Sequence, residues 1–203
     1  MDRFIRGGIT AAILGGLLLA AGASLATASA GHQQFSDQVL TGVFTASAAL
    51  RFTGAILMTW GTISLYLAQA DRAGRLGLVA VVACLANMAL QTGWMFSDLF
   101  IAPSFAHAAP EILNNGSGPM TVGFMAAWLA NISFILLGIA TLRARVLPKT
   151  SGLALITAGA ITLVPLPADG PVYEVIIGVA FAIAGARALT GAARAPIAAR
   201  SAT

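Results

Sequence analysis

TASAALRFTGAILMTWG, residues 45–61, is apolar or small at nearly every position, yet Arg51 stands in its middle. A run of this kind has the composition of a membrane-crossing helix, for which about 20 apolar residues suffice. The whole chain agrees with it. Of 203 residues 58% are hydrophobic and only 9% are charged, and the mean hydropathy of +0.88 lies far outside the soluble range. The sequence predicts an all-α, polytopic membrane protein, and the cation in the helix raises the question of what it does there.

Outward from residues 45–61, six segments qualify as spans: about 7–29, 44–67, 76–98, 121–142, 150–166 and 172–189. Together they make one transmembrane domain, residues 1–203. The fifth and sixth are short. Turn chemistry separates the later ones: DRAGR at 71–75, NNGSGP at 114–119, RARVLPK at 143–149 and PADGP at 167–171. Lys and Arg are retained on the cytoplasmic side. Ten of the eleven basic residues fall at the N-terminus, the second loop, the fourth loop and the C-terminus, which are alternate connections. Both ends are therefore expected in the cytoplasm. Asp37, Asp98, Glu111, Asp169 and Glu174 fall on the outer side with both histidines, and Arg51 is the one exception to the rule.

The formal charge of +4 does not indicate nucleic acid, because the basic residues are scattered singly beside apolar runs and make no patch with interleaved aromatics. The bilayer is the expected partner. The N-terminus also has the layout of a secretory signal, with DRFIR before the apolar run and ATASA before Gly31. Its apolar run exceeds the usual length of a signal core. Gly8, Ala12, Gly16, Ala20 and Ser24 recur every fourth position as a smooth ridge for close helix packing. Residues 1–30 therefore read as a retained helix, whose ridge offers a contact for a membrane-protein partner or a second copy.

Heights on the second and third spans can be matched by counting from residue 73, the centre of their short connection. That count brings Arg51 level with Met95, and Asp98 lies under one turn higher. Along the third span Cys84, Asn87, Gln91, Trp94 and Asp98 recur at spacings of three and four, one polar stripe on an apolar helix. Unpaired amides cost several kcal/mol in hydrocarbon, so the stripe is expected to face protein or water. Trp128 and Asn131 offer matching groups on the fourth span, and Tyr173 and Glu174 open the sixth. The expected site is an outward-facing pocket floored by Asn87, Gln91 and Asn131, with Arg51, Asp98 and Glu174 at its mouth. Trp60, Trp94, Trp128, Met58, Met88 and Met95 are expected around its apolar body. Arg51 either holds an anionic group by a bidentate contact, or pairs with an acid, Asp98 before Glu174, to fix helix register, or lifts its head to the interface.

The third loop, residues 98–119, is apolar enough to lie over the site as a lid, with Phe100, Ile101 and Phe105 at the headgroups. Several chemistries are excluded. A single cysteine, Cys84, permits no internal disulfide, and the single lysine, Lys149, sits in a loop, which excludes an intramembrane Schiff base. His32 and His107 with Asp37, Asp98 or Glu111 lack diagnostic metal spacing, so no metal is assigned. Neither a cofactor nor a catalytic residue is identified. The expected function is binding or transport of a small amphipathic or lipid-like ligand. The alternatives are an accessory subunit of a larger membrane complex, and an intramembrane acid–base isomerase or cyclase using Asp98 or Glu174 on a lipophilic substrate.

The segment RARVLPKTSGLALITAGAITLV, residues 143–164, with a Gly- and Ala-rich first helix and six spans in about 200 residues, resembles small uncharacterised six-helix membrane proteins common in high-GC bacteria. The resemblance implies the fold and the inner-membrane location, and carries no catalytic motif.

Overall fold

The structure is a computed structural model that describes residues 2–29, 34–116, 118–164 and 171–200, the side chains of Ser29 and of residues 192–200 excepted. His32, Asp169, PADGP but for Pro171, and the Ala30–Gly31 bond lie outside the described residues. Those described form helices and no strands. In chain order these are α1 Arg3–Ser29, α2 Phe35–Val39, α3 Gly42–Leu67, α4 Ala70–Phe96, a π-helical turn Ser97–Ile101, α5 Ala102–Ala108, α6 Pro110–Asn115, α7 Gly118–Leu129, α8 Ile132–Ala144, α9 Lys149–Thr162 and α10 Pro171–Arg200.

Among the described residues five stretches are long and apolar enough to cross a membrane: Arg3–Ala28, Gly42–Leu67, Ala70–Ala108, Gly118–Ala144 and Pro171–Gly191. The predicted fifth span is different. It becomes α9, which has 14 residues and reaches about 21 Å at 1.5 Å per residue, short of a full crossing. Val79, Val122 and Leu129 turn their side chains outward from the long helices, a surface suited to lipid.

Local chemistry sets the breaks. Thr41 caps α3 by accepting the N–H of Phe44 at 3.2 Å. Between α3 and the main body of α4 the chain turns at Ala68–Gln69, makes one helical turn, and bends again at Gly74, whose φ of +58° and ψ of −159° suit only glycine. Pro103 removes the N–H that would bond the carbonyl of Leu99. Just before it the helix widens into its π turn, where Ala102 N–H donates to Ser97 O. Arg145, in the left-handed region at φ +54°, ends α8.

The packing is a closed ring in the order α1, α3, α4, α8, α9, α10 and back to α1. Neighbours run antiparallel throughout. Small residues let backbones approach: a Cβ on Gly54 of α3 would lie 2.7 Å from Gly15 O and from Leu19 N of α1. The α1 ridge is filled from inside the molecule, since Gly16 backs onto Gly178 of α10, Gly8 onto Ser64 of α3, and Ala12 onto Gly61. Most of that ridge is thus occupied by the chain itself, while Ser24 at its end stays exposed. The face of α1 left exposed carries Leu14, Leu17 and Leu25.

Hydrogen bonds stitch the ring where hydrocarbon offers no alternative. Ser47 Oγ donates to Gly22 O at 2.8 Å, Ser151 Oγ to Ala184 O at 3.0 Å, and Gln69 Nε2 to Thr141 Oγ1 at 2.9 Å. At one end of the ring α2, α5 and α6 form a cap around Val39, Phe44, Ala48, Ala102 and Ala106. Asn114 ties α6 to α2 through the backbone and hydroxyl of Ser36, each at 3.0 Å. The loop read as a lid is therefore two short helices and the π turn, with Phe100, Ile101 and Phe105 exposed.

Candidate functional site

Inside the capped end lies a cavity of about 460 Å³. Arg51 projects into it from the first half of α3, and Asp98 from the π turn. Glu174 comes from the first turn of α10. The guanidinium of Arg51, 4% exposed, is shared between the two acids. Nε and Nη2 donate to Oε2 and Oε1 of Glu174 at 2.5 and 2.6 Å, a parallel two-bond fork, while Nη1 donates to Oδ2 of Asp98 at 3.2 Å.

Two expectations change here. Glu174, not Asp98, is the closer partner, and the bidentate capacity proposed for an anionic ligand is already taken by Glu174. Counting along the α3–α4 hairpin reached Asp98, but it contained nothing about α10.

At the other end of the cavity stand Gln91 and Asn131. The fourth span is interrupted at Ala130–Asn131, between α7 and α8. Asn131 N–H donates to Trp128 O at 3.1 Å, and Phe134 N–H to Asn131 O at 3.0 Å, both three residues back instead of four. Irregular backbone at membrane depth is tolerated where it lines a cavity or is buried in protein. The Ala127 carbonyl, which Asn131 N–H would bond in a continuous helix, instead faces Gln91 Nε2 at 3.5 Å. Trp128 Nε1 donates to Thr162 O at 2.6 Å, and the Trp94 ring meets Phe124 edge-on at 5.8 Å.

Seven of the eight residues singled out from the sequence line this one cavity: Arg51, Gln91, Trp94, Asp98, Trp128, Asn131 and Glu174. Asn87 does not. It lies one turn deeper and fully buried, donating to Asn131 Oδ1 at 3.2 Å and Ser133 Oγ at 3.3 Å. Its Oδ1 accepts nothing among the described residues.

The apolar body also differs from expectation. Met58, Met88 and Met95 are core, and Trp60 packs on Phe4 at 5.7 Å, away from the cavity. Phe134 and Phe181, in edge contact at 5.5 Å, help fill the ring beneath. Phe35, Gln38 and Phe44 at the cap, Phe124 on α7 and Ile177 on α10 complete much of the lining. Spacing could have found two of these, since Phe124 is one turn before Trp128 and Ile177 one turn after Glu174. Among the described residues no group of three His, Cys, Asp or Glu side chains gathers as a metal site.

No protein family, curated protein or solved structure matches this chain. Its chemistry has to be read from the cavity.

Proposed function

We propose that the chain is a six-helix protein of a bacterial inner membrane that binds a small amphipathic or lipid-like molecule in this cavity, as a binding or transport protein. The observation that carries the reading is a cavity with aromatic walls and polar groups at two separated ends, inside a ring of apolar helices. Its volume falls in the ordinary range for small-molecule sites.

α9 fills the sixth place in the ring, which supports counting it as a short sixth span. Arg3, Arg6, Arg72, Arg75, Arg143, Arg145 and Lys149 gather at the end opposite the cap. By the positive-inside rule this supports cytoplasmic termini and a cavity facing outward. Acid–base catalysis has less support, because both carboxylates are hydrogen-bonded to Arg51.

The test is purification in a mild detergent, with mass spectrometry of the small molecules retained by the wild type and by Gln91→Leu. One species held by the wild type and lost from the variant is expected. The same set retained by both proteins would remove this site from the account.

A further inference from the structure

Charged, aromatic and amide side chains meet in the cavity at the capped end. We infer that its ligand is an organic cation, an amine or quaternary ammonium that also carries a hydrogen-bond acceptor. This rests on the ligand-binding reading above and names the ligand's class.

The charge balance comes first. Among the lining residues Arg51 is the sole base, and it faces two acids, Asp98 and Glu174. Among the described residues one formal negative charge is therefore unmatched, beside a guanidinium that is itself buried. An anionic ligand would add to that surplus, and three of the five N–H donors of Arg51 are already engaged on the two acids. A cation removes it.

The walls point the same way. Phe35, Phe44, Trp94, Phe124, Trp128 and Tyr173 line the cavity, and aromatic faces attract ammonium groups, most strongly when these are desolvated.

The opposite end supplies an independent observation. Asn131 is 3% exposed and lines the cavity. Its Oδ1 accepts from Asn87, while its own amide N–H groups donate to nothing among the described residues. That amide edge opens on the cavity, where a carbonyl, ester or hydroxyl oxygen of the ligand would accept from it. Gln91 and Asp98, seven residues apart on one stripe, set the separation of the amide and acid ends at roughly 10 Å.

Three probes of one shape separate the alternatives: benzoylcholine, its uncharged carbon isostere 3,3-dimethylbutyl benzoate, and the anion 2-sulfoethyl benzoate. Full-length protein carrying Trp60→Phe, in lipid nanodiscs, would report through Trp94 and Trp128 fluorescence, with empty nanodiscs as control. Benzoylcholine is expected to bind saturably and about tenfold more tightly than the neutral ester, with no saturable response to the anion. Asp98→Asn and Glu174→Gln each leave one acid for Arg51, and each should abolish that preference.

If neither acid variant folds, Phe124→Leu serves, expected to weaken the cation about threefold and leave the neutral ester unchanged. Equal binding of cation and neutral ester, or preference for the anion, would overturn the cation assignment and leave the ligand-binding reading standing. No saturable response to any of the three would overturn both.

Discussion

Arg51 gives two parallel donors to Glu174, a residue 123 positions further along the chain, and only one longer bond to Asp98. The first and last thirds of the sequence thus meet in a buried, charged contact, and its asymmetry orders the cost of disturbing it. Breaking a buried pair by removing one partner costs about 3–5 kcal/mol when a charge is left uncompensated. Arg51→Gln leaves two carboxylates facing each other and should cause the largest loss of thermal stability in detergent. Glu174→Gln should cost less, and Asp98→Asn least. Arg51→Lys should fall between Arg51→Gln and the wild type, because an ammonium cannot reproduce the fork. If Glu174→Gln melts at the same temperature as Arg51→Gln, the shared-guanidinium account is wrong.

Gly54→Ala should be strongly destabilising. Its methyl would meet the backbone of Gly15 and Leu19 at 2.7 Å, and backbone cannot move aside without parting α1 from α3. Gly93, also helical, has nothing within 4 Å of its own Cβ position. Gly93→Ala should therefore be neutral or stabilising by up to about 1 kcal/mol, the helix preference for alanine. A shared drop in melting temperature would mean that the α1–α3 approach is looser than described.

Two buried serines on α3 should answer oppositely to alanine. Ser47 Oγ donates to Gly22 O on α1, and its loss should cost about 1 kcal/mol. Ser64 Oγ is buried with no partner among the described residues. Ser64→Ala removes an unsatisfied oxygen and should leave stability unchanged or raised. Paired thermal melts of the two variants decide the matter.

Orientation has a direct readout. Cys84 is fully buried, so the wild-type chain should resist a membrane-impermeant maleimide on intact cells. Asn115, exposed at the capped end, should react as Asn115→Cys. A reporter that fluoresces only in the cytoplasm should be bright when fused after Thr203. A dark reporter with an unreactive Asn115→Cys would invert the topology.

Much of this arrangement was legible in the residues because it depends on periodicity and short connections. The stripe of Gln91, Trp94 and Asp98 followed from helical spacing, and the level of Arg51 from a turn of few residues. Contacts between elements far apart in sequence left no such trace, so the fork to Glu174 was not ranked first. The interruption at Asn131 carries no proline or glycine in AAWLANISF. It forms where Cys84 S–H and the side chains of Asn87 and Gln91 reach the turn, a tertiary cause. Asn87 shares the stripe but sits where α8 closes over it, and spacing alone cannot tell a lining residue from one a turn below.

The ring order also sets a timetable for biogenesis. α1 finds one neighbour in α3 soon after it is made, but its other neighbour, α10, is made after every other helix of the ring. Until Pro171 and the residues after it are in the membrane, the Gly16 side of α1 has no partner and Arg51 holds only Asp98. A nascent chain arrested before α10 is therefore an open arc with a guanidinium that lacks its two bonds to Glu174 and an unfilled seam, features that membrane proteases and insertion chaperones can sense. Arrival of Glu174 closes the arc and completes the ion cluster in one event, so the cavity first exists only once α10 has been inserted.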